Sequence, residues 1–134
     1  MATDTRLVTG VDFVPISTQD LDAAVAFYGT TLGLERSVHR PDYNFAEFET
    51  GNLTLNLMDA EKMGLEHHTV RNAVALHVDD VAAARAELES KGVEFAMDTF
   101  DTGVCHMAFF EDPDGNALML HHNYVRSSTS ASAR

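Results

Sequence analysis

Apolar positions along this chain switch between two periods, and the switches mark its elements. Val11-Asp12-Phe13-Val14-Pro15-Ile16 is nearly continuous in apolar residues, so Gly10 to Ile16 reads as a strand. Ser17-Thr18-Gln19-Asp20 supplies helix N-cap candidates. Leu21, Val25, Phe27, Tyr28 and Leu32 then follow close to a helical period, which predicts a helix over Leu21 to Leu32. Gly33 stands where a left-handed residue ends such a helix. Strands are predicted over Leu34 to His39, Tyr43 to Thr50 and Leu53 to Asp59, with Thr50-Gly51-Asn52 as a hairpin turn. After a polar linker come a strand (Ala73 to Val78), a helix (Val81 to Lys91) and strands over Glu94 to Thr99, Val104 to Glu111 and Ala117 to His122. Arg126 to Arg134 is a Ser/Ala tail with no apolar pattern, which predicts disorder. The boundaries that follow are 8–60 for a first unit, 61–71 for the linker, 72–123 for a second unit and 124–134 for the tail.

The two units are copies of one another. Asp20-Leu21-Asp22-Ala23-Ala24-Val25-Ala26-Phe27-Tyr28 with Leu32-Gly33-Leu34-Glu35 answers to Asp80-Val81-Ala82-Ala83-Ala84-Arg85-Ala86-Glu87-Leu88 with Lys91-Gly92-Val93-Glu94. The offset is 60 residues at the aspartates and 59 at the glycines. Two copies do not make a solenoid, which needs three or more stacked units. They fit a duplicated module.

These segments, together with Val78-Asp79-Asp80-Val81 and Phe110-Glu111-Asp112-Pro113-Asp114-Gly115-Asn116, resemble the vicinal oxygen chelate superfamily. That superfamily includes glyoxalase I, extradiol dioxygenases and bleomycin-resistance proteins. The resemblance runs from about Val11 to His122, and the Asp-Pro-Asp-Gly-Asn turn is its most specific piece. It implies an α+β fold of two βαβββ modules forming a curved mixed sheet around a cavity. It does not settle function, because one scaffold carries many chemistries.

In metal-dependent members of the superfamily, ligands sit on the first and last strands of each module. The resemblance places the first-strand ligand seven residues before the helix-start Asp, at Phe13 and Ala73, and the last-strand ligand at Met119. The matching position in the first module is Leu55 or Asn56. This set has no imidazole or carboxylate, so a metal cofactor is not expected. It also disfavours glyoxalase, epimerase and dioxygenase chemistry of the usual type.

Side chains alternate along a strand, so Ala73, Ala75 and His77 share a face, as do Met119 and His121. If the former ligand positions face inward, His77 and His121 do too, as a displaced metal site or an acid–base pair. His122 alternates outward and is expected exposed, and His67 and His68 are expected solvated in the linker. The same alternation lines the cavity with Phe13, Pro15 and Ser17, then Tyr43, Phe45 or Phe48, Asn56 and Met58, and in the second module Cys105, Met107 and Phe109. An apolar, aromatic wall with a few polar points suits a small organic ligand. Cys105 has no basic neighbour on its own face, which argues against a catalytic thiol.

Bulk properties narrow the partners. At 134 residues the chain has room for a real core. Nine Lys and Arg against 21 Asp and Glu give a net charge of −12, which disfavours nucleic acid and anionic membranes. No apolar run approaches the roughly 18 residues of a membrane span. The start, Met1-Ala2-Thr3-Asp4-Thr5-Arg6, lacks the regions of a signal peptide, and with a single cysteine the expected location is the cytoplasm. A homodimer is expected from the resemblance and from symmetry.

Three functions compete at this point. The leading one is metal-free binding of a small organic molecule, for sequestration or sensing, as in the bleomycin-resistance branch. Bleomycin itself is not implied, since the chain has no Trp to stack on flat aromatic groups. The alternative is a lyase, isomerase or dioxygenase-type enzyme using a displaced metal or His77 and His121. The third is an interaction module with a filled cavity.

Overall fold

The computed structural model describes residues 5–125. The tail from Arg126 onward and the first four residues lie outside the described residues. The first module runs β1 (Val14–Thr18), α1 (Leu21–Ala26), β2 (Glu35–Arg40), β3 (Phe45–Glu49) and β4 (Thr54–Asp59). The second runs β5 (Val74–His77), α2 (Val81–Ser90), β6 (Phe100–Asp101), β7 (Cys105–Glu111) and β8 (Ala117–Asn123). Each module forms a four-stranded mixed sheet, ordered β1-β4-β3-β2 and β5-β8-β7-β6. In both, the first strand lies parallel to the last and the others pair antiparallel. The fold is therefore α+β, with the duplicated βαβββ order expected from the repeat.

Both helices begin at the aspartates that the repeat aligns. Asp20 and Asp80 are extended residues, each with a side-chain oxygen that accepts from a backbone N–H of the first turn, Ala23 at 3.1 Å and Ala83 at 3.0 Å. The helices cover one face of the sheets. Ile16, Tyr28, Phe48 and Leu57 of the first module join Val81, Leu88, Phe110 and Leu118 of the second in one hydrophobic cluster. Full burial of one such aliphatic or Phe side chain contributes about 1.5–3 kcal/mol. The core is thus shared between the modules.

Four local expectations need correction. The first strand starts at Val14 rather than Gly10, because the ladder with β4 begins at the Val14–Leu55 pair. The helix from Leu21 changes character at Phe27: Phe27–Thr31 is a π-helical turn in which the Leu32 N–H reaches the Phe27 carbonyl. Tyr43 lies in a 3-10 turn (Pro41–Tyr43) ahead of β3, and Asn44 follows at φ 67°. Glu94 to Thr99 is not a strand. Phe95 alone bridges to Phe110, and the paired segment is only Phe100–Asp101. Arg85 of α2 explains this: its Nη1 donates to the Met97 carbonyl (2.9 Å) and to Thr99 Oγ1 (3.1 Å), while the guanidinium lies 4.7 Å from the centre of the Phe95 ring. A helix-borne cation thus anchors this segment in place of a continuous ladder.

Candidate functional site

The face of each sheet turned away from the helices carries most of the candidate residues. In the first module, Val14 and Ile16 point to the core, so Pro15 and Ser17 face the other way. Pro15 and Glu47 both pair with Asn56, and Ser17 and Phe45 both pair with Met58. Phe48 and Leu55 are fully buried in the core, so the residues on the open face are Phe45 and Asn56. Asn56, only 9% exposed, donates its amide to Glu47 Oε2 at 2.9 Å. Alternation with Phe45 along β3 would have found Glu47, which the sequence reading missed. Beside this pair, the Glu49 carboxylate accepts from Ser37 and Thr54, which hold it below its usual range. Phe13 precedes β1 and is half exposed. Tyr43 lies in the turn between β2 and β3, exposed, with the Arg40 guanidinium 4.5 Å from its ring centre.

In the second module, Val74, Leu76, Leu118 and Leu120 point to the core. His77 and Met107 both pair with His121, forming one row of the open face. Ala75 and Phe109 both pair with Met119, forming the next. Ala73 directly precedes β5. Cys105 is buried at the start of β7, its Sγ 3.1 Å from Thr102 Oγ1. The structure therefore gathers the second-module candidates on one sheet face and Asn56 and Met58 on another.

Two histidine expectations change. His122 is partly buried rather than exposed; its Nδ1 is enclosed without a hydrogen-bond partner among the described residues, and its ring lies 5.8 Å from that of His77. His67 is held rather than free, with Nδ1 2.6 Å from Ser17 Oγ. His68 is exposed beside Glu66, as expected of a linker residue. Nearby, Asp101 accepts from the Gly103 N–H and the Tyr124 hydroxyl, which keep its carboxyl below the usual range.

A groove of about 710 Å³ lies elsewhere, where the end of α1 meets the second sheet. Phe27, Phe95, Phe109 and Phe110 line it, with Lys91 and Glu94. Of the candidate residues, only Phe109 reaches it. Periodicity within a single element cannot reveal such a junction between modules.

The Asp-Pro-Asp-Gly-Asn segment turns as expected, with the Gly115 N–H bonded to the Asp112 carbonyl at 3.0 Å. It also clasps the first module. Buried Asp112 accepts from the Tyr28 hydroxyl (2.7 Å), while Asp114 accepts from the Gln19 N–H (2.8 Å) and from Thr18 Oγ1. Asn116 donates to the Ser17 carbonyl at 2.9 Å and accepts from the Val70 N–H at 2.7 Å.

The donor set that the resemblance implies at Phe13, Ala73, Met119 and Asn56 does not fit a metal. Phe and Ala offer no lone pair, Met119 offers a soft thioether, and the Asn56 amide is engaged with Glu47. Among the described residues, no three His, Cys, Asp or Glu side chains converge as a ligand group.

Paired βαβββ modules clasped by this turn define a class. Residues 10–120 match the family model of the Glyoxalase/Bleomycin resistance protein/Dioxygenase superfamily, and the chain belongs to that superfamily. No curated protein matches it at a significant level. Among solved structures, it is similar to TnmS3, an antibiotic binding protein from Streptomyces sp. CB03234, at TM-score 0.75 and 24% identity, covering 88% of this chain and 98% of that one. It is similar to lactoylglutathione lyase from Agrobacterium tumefaciens at TM-score 0.73 and 20% identity, covering 85% and 93%. A glyoxalase/bleomycin resistance protein/dioxygenase from Nocardioides gives TM-score 0.72 and 24% identity, covering 93% of each chain. At these identities the likeness establishes the fold. No helix among the described residues is long and apolar enough to cross a membrane.

Proposed function

We propose that this protein binds a small organic ligand without a protein-held metal, in a cavity formed when a second copy closes the open sheet faces. One observation carries this reading. The positions at which the resemblance implies the ligands of metal-dependent relatives hold Phe13, Ala73 and Met119. Their removal turns a coordination site into an apolar wall, on which Asn56 and Glu47 supply polar points. Likeness to an antibiotic binding protein supports binding as the activity. Likeness to a lyase keeps catalysis as the rival, but the donor set argues against the metal-dependent version. The ligand is mostly apolar, with a donor group that reaches Glu47. Binding would serve sequestration or sensing in the cytoplasm, where a lone Cys105 stays reduced.

Native mass spectrometry of protein purified without chelators or affinity tags tests this, combined with a thermal-shift screen of apolar and aromatic compounds. The expected result is a dimer without stoichiometric transition metal that a library member stabilises by mass action. One equivalent of nickel, zinc, iron or manganese, lost in His121→Ala, would overturn it.

A further inference from the structure

The groove of about 710 Å³ at the end of α1 lies apart from the open-face row of His77, Met107 and His121, none of which lines it. Two irregular segments form its walls. One is the π-helical turn Phe27–Thr31, whose first and last residues both line the groove. Such turns within helices are frequent at functional sites. The other runs from Lys91 to Ala96 and meets β7 at the Phe95–Phe110 bridge and through the Ala96 N–H, which donates to the Phe109 carbonyl at 2.9 Å. The rings of Phe27, Phe95, Phe109 and Phe110 supply the apolar surface. The volume lies within the range of small-molecule pockets, about 300–1,000 Å³.

The charges of these walls do not balance. Lys91 is the one cation among the described residues that line the groove, and it is engaged: its Nζ donates to the Thr31 carbonyl at 3.0 Å and lies 3.5 Å from the Glu87 carboxylate. Asp112 is buried and already accepts from Tyr28 and Asn116. Glu94 and Glu111 are exposed in the walls, and no hydrogen bond or ion pair ties either one to another described residue. We infer that this groove is a second ligand site, selective for an aromatic organic cation. Phenyl rings attract a cation set over their faces and pack against its own rings. Glu94 and Glu111 supply the opposite charge. The net charge of −12 draws such a ligand toward the chain and repels its anionic analogue. The site is built within one chain, so it needs neither the open sheet faces nor a second copy.

The test is an amide NMR titration of the full chain with (naphthylmethyl)trimethylammonium and, separately, with naphthylmethanesulfonate, which carries the same rings and the opposite charge. The ammonium should shift amides within 91–96 and 109–112 and bind at least about fivefold more tightly than the sulfonate. Glu94→Gln/Glu111→Gln should weaken it at least about fivefold. The control Asp12→Asn/Glu35→Gln removes the same charge at exposed positions outside the groove and should stay within about twofold. Urea midpoints check that both variants keep the natural fold. Equal effects of the two variants, whether loss or no change, would overturn the site, since the wall carboxylates would then have no special part. Equal affinity for the two ligands would overturn its selectivity, and no saturable shift with either would overturn the groove as a site. Shifts centred on β5 and β8 would overturn it too, because the ammonium would then occupy the open face. The thermal-shift screen with Ala73→Trp decides the open-face reading separately.

Discussion

The Tyr28 hydroxyl donates to the Asp112 carboxylate at 2.7 Å, joining the first helix of one module to the hairpin turn of the other. Asp112 also accepts from the Asn116 side chain and from the backbone of Asp114 and Asn116, so its carboxylate is fully used. The pair accounts for Asp112 of the turn, while Asp114 holds Thr18 and Gln19 and Asn116 holds Ser17 and Val70. Tyr28→Phe removes one bond to a charged acceptor and should lower stability by about 1.5–3 kcal/mol. Asp112→Ala should cost more, because several buried donors lose their acceptor together. Urea unfolding of the two single variants and the double variant measures the coupling, which independent effects would set to zero.

The same pair predicts an alkaline limit. Burial raises the Tyr28 pKa well above its ordinary value of 10, and the negative charge and hydrogen bond of Asp112 raise it further. The folded state therefore keeps a proton that the unfolded state releases above about pH 10. Stability should be full below that pH and fall as pH rises through it. In Tyr28→Phe this slope should flatten, as read by urea midpoints between neutral and strongly alkaline pH.

Replacing Asp20 or Asp80 by Ala removes the side-chain cap of one helix. Each change should cost about 0.5–2 kcal/mol. Ligand-induced thermal shifts should persist in both variants, since neither carboxylate lies on an open sheet face. Unchanged denaturant midpoints would show that these caps do not carry the helix starts.

Arg85→Met keeps the side-chain stem but removes the donors to Met97 and Thr99. Hydrogen exchange in residues 95–101 should accelerate, while the β7 and β8 amides stay protected. Uniform acceleration across the second sheet would mean that Arg85 supports the whole module rather than this segment.

Ala73→Trp places a large ring at a position where the resemblance implies a ligand in metal-dependent relatives. In an open cavity the variant should fold and lose the thermal shift given by any library ligand. In a filled core the same change would cost about 1–3 kcal/mol through overpacking. Loss of stability without any ligand response in the natural protein would favour the interaction-module reading.

The sequence alone determined the order of elements in the two modules apart from the short β6, both helix starts and most of the residues that alternate between core and open face. These follow from short-range periodicity and from caps built within a few residues, which one chain segment specifies by itself. Only the tertiary structure decided that Glu94 to Thr99 fails as a strand, because Arg85 reaches it from a helix. Only the fold showed Glu47 bonded to Asn56, His122 partly buried beside His77, and the turn at Asp112 gripping Tyr28. Each of these joins residues from different elements, and such contacts arise from packing geometry that no periodicity within one segment encodes.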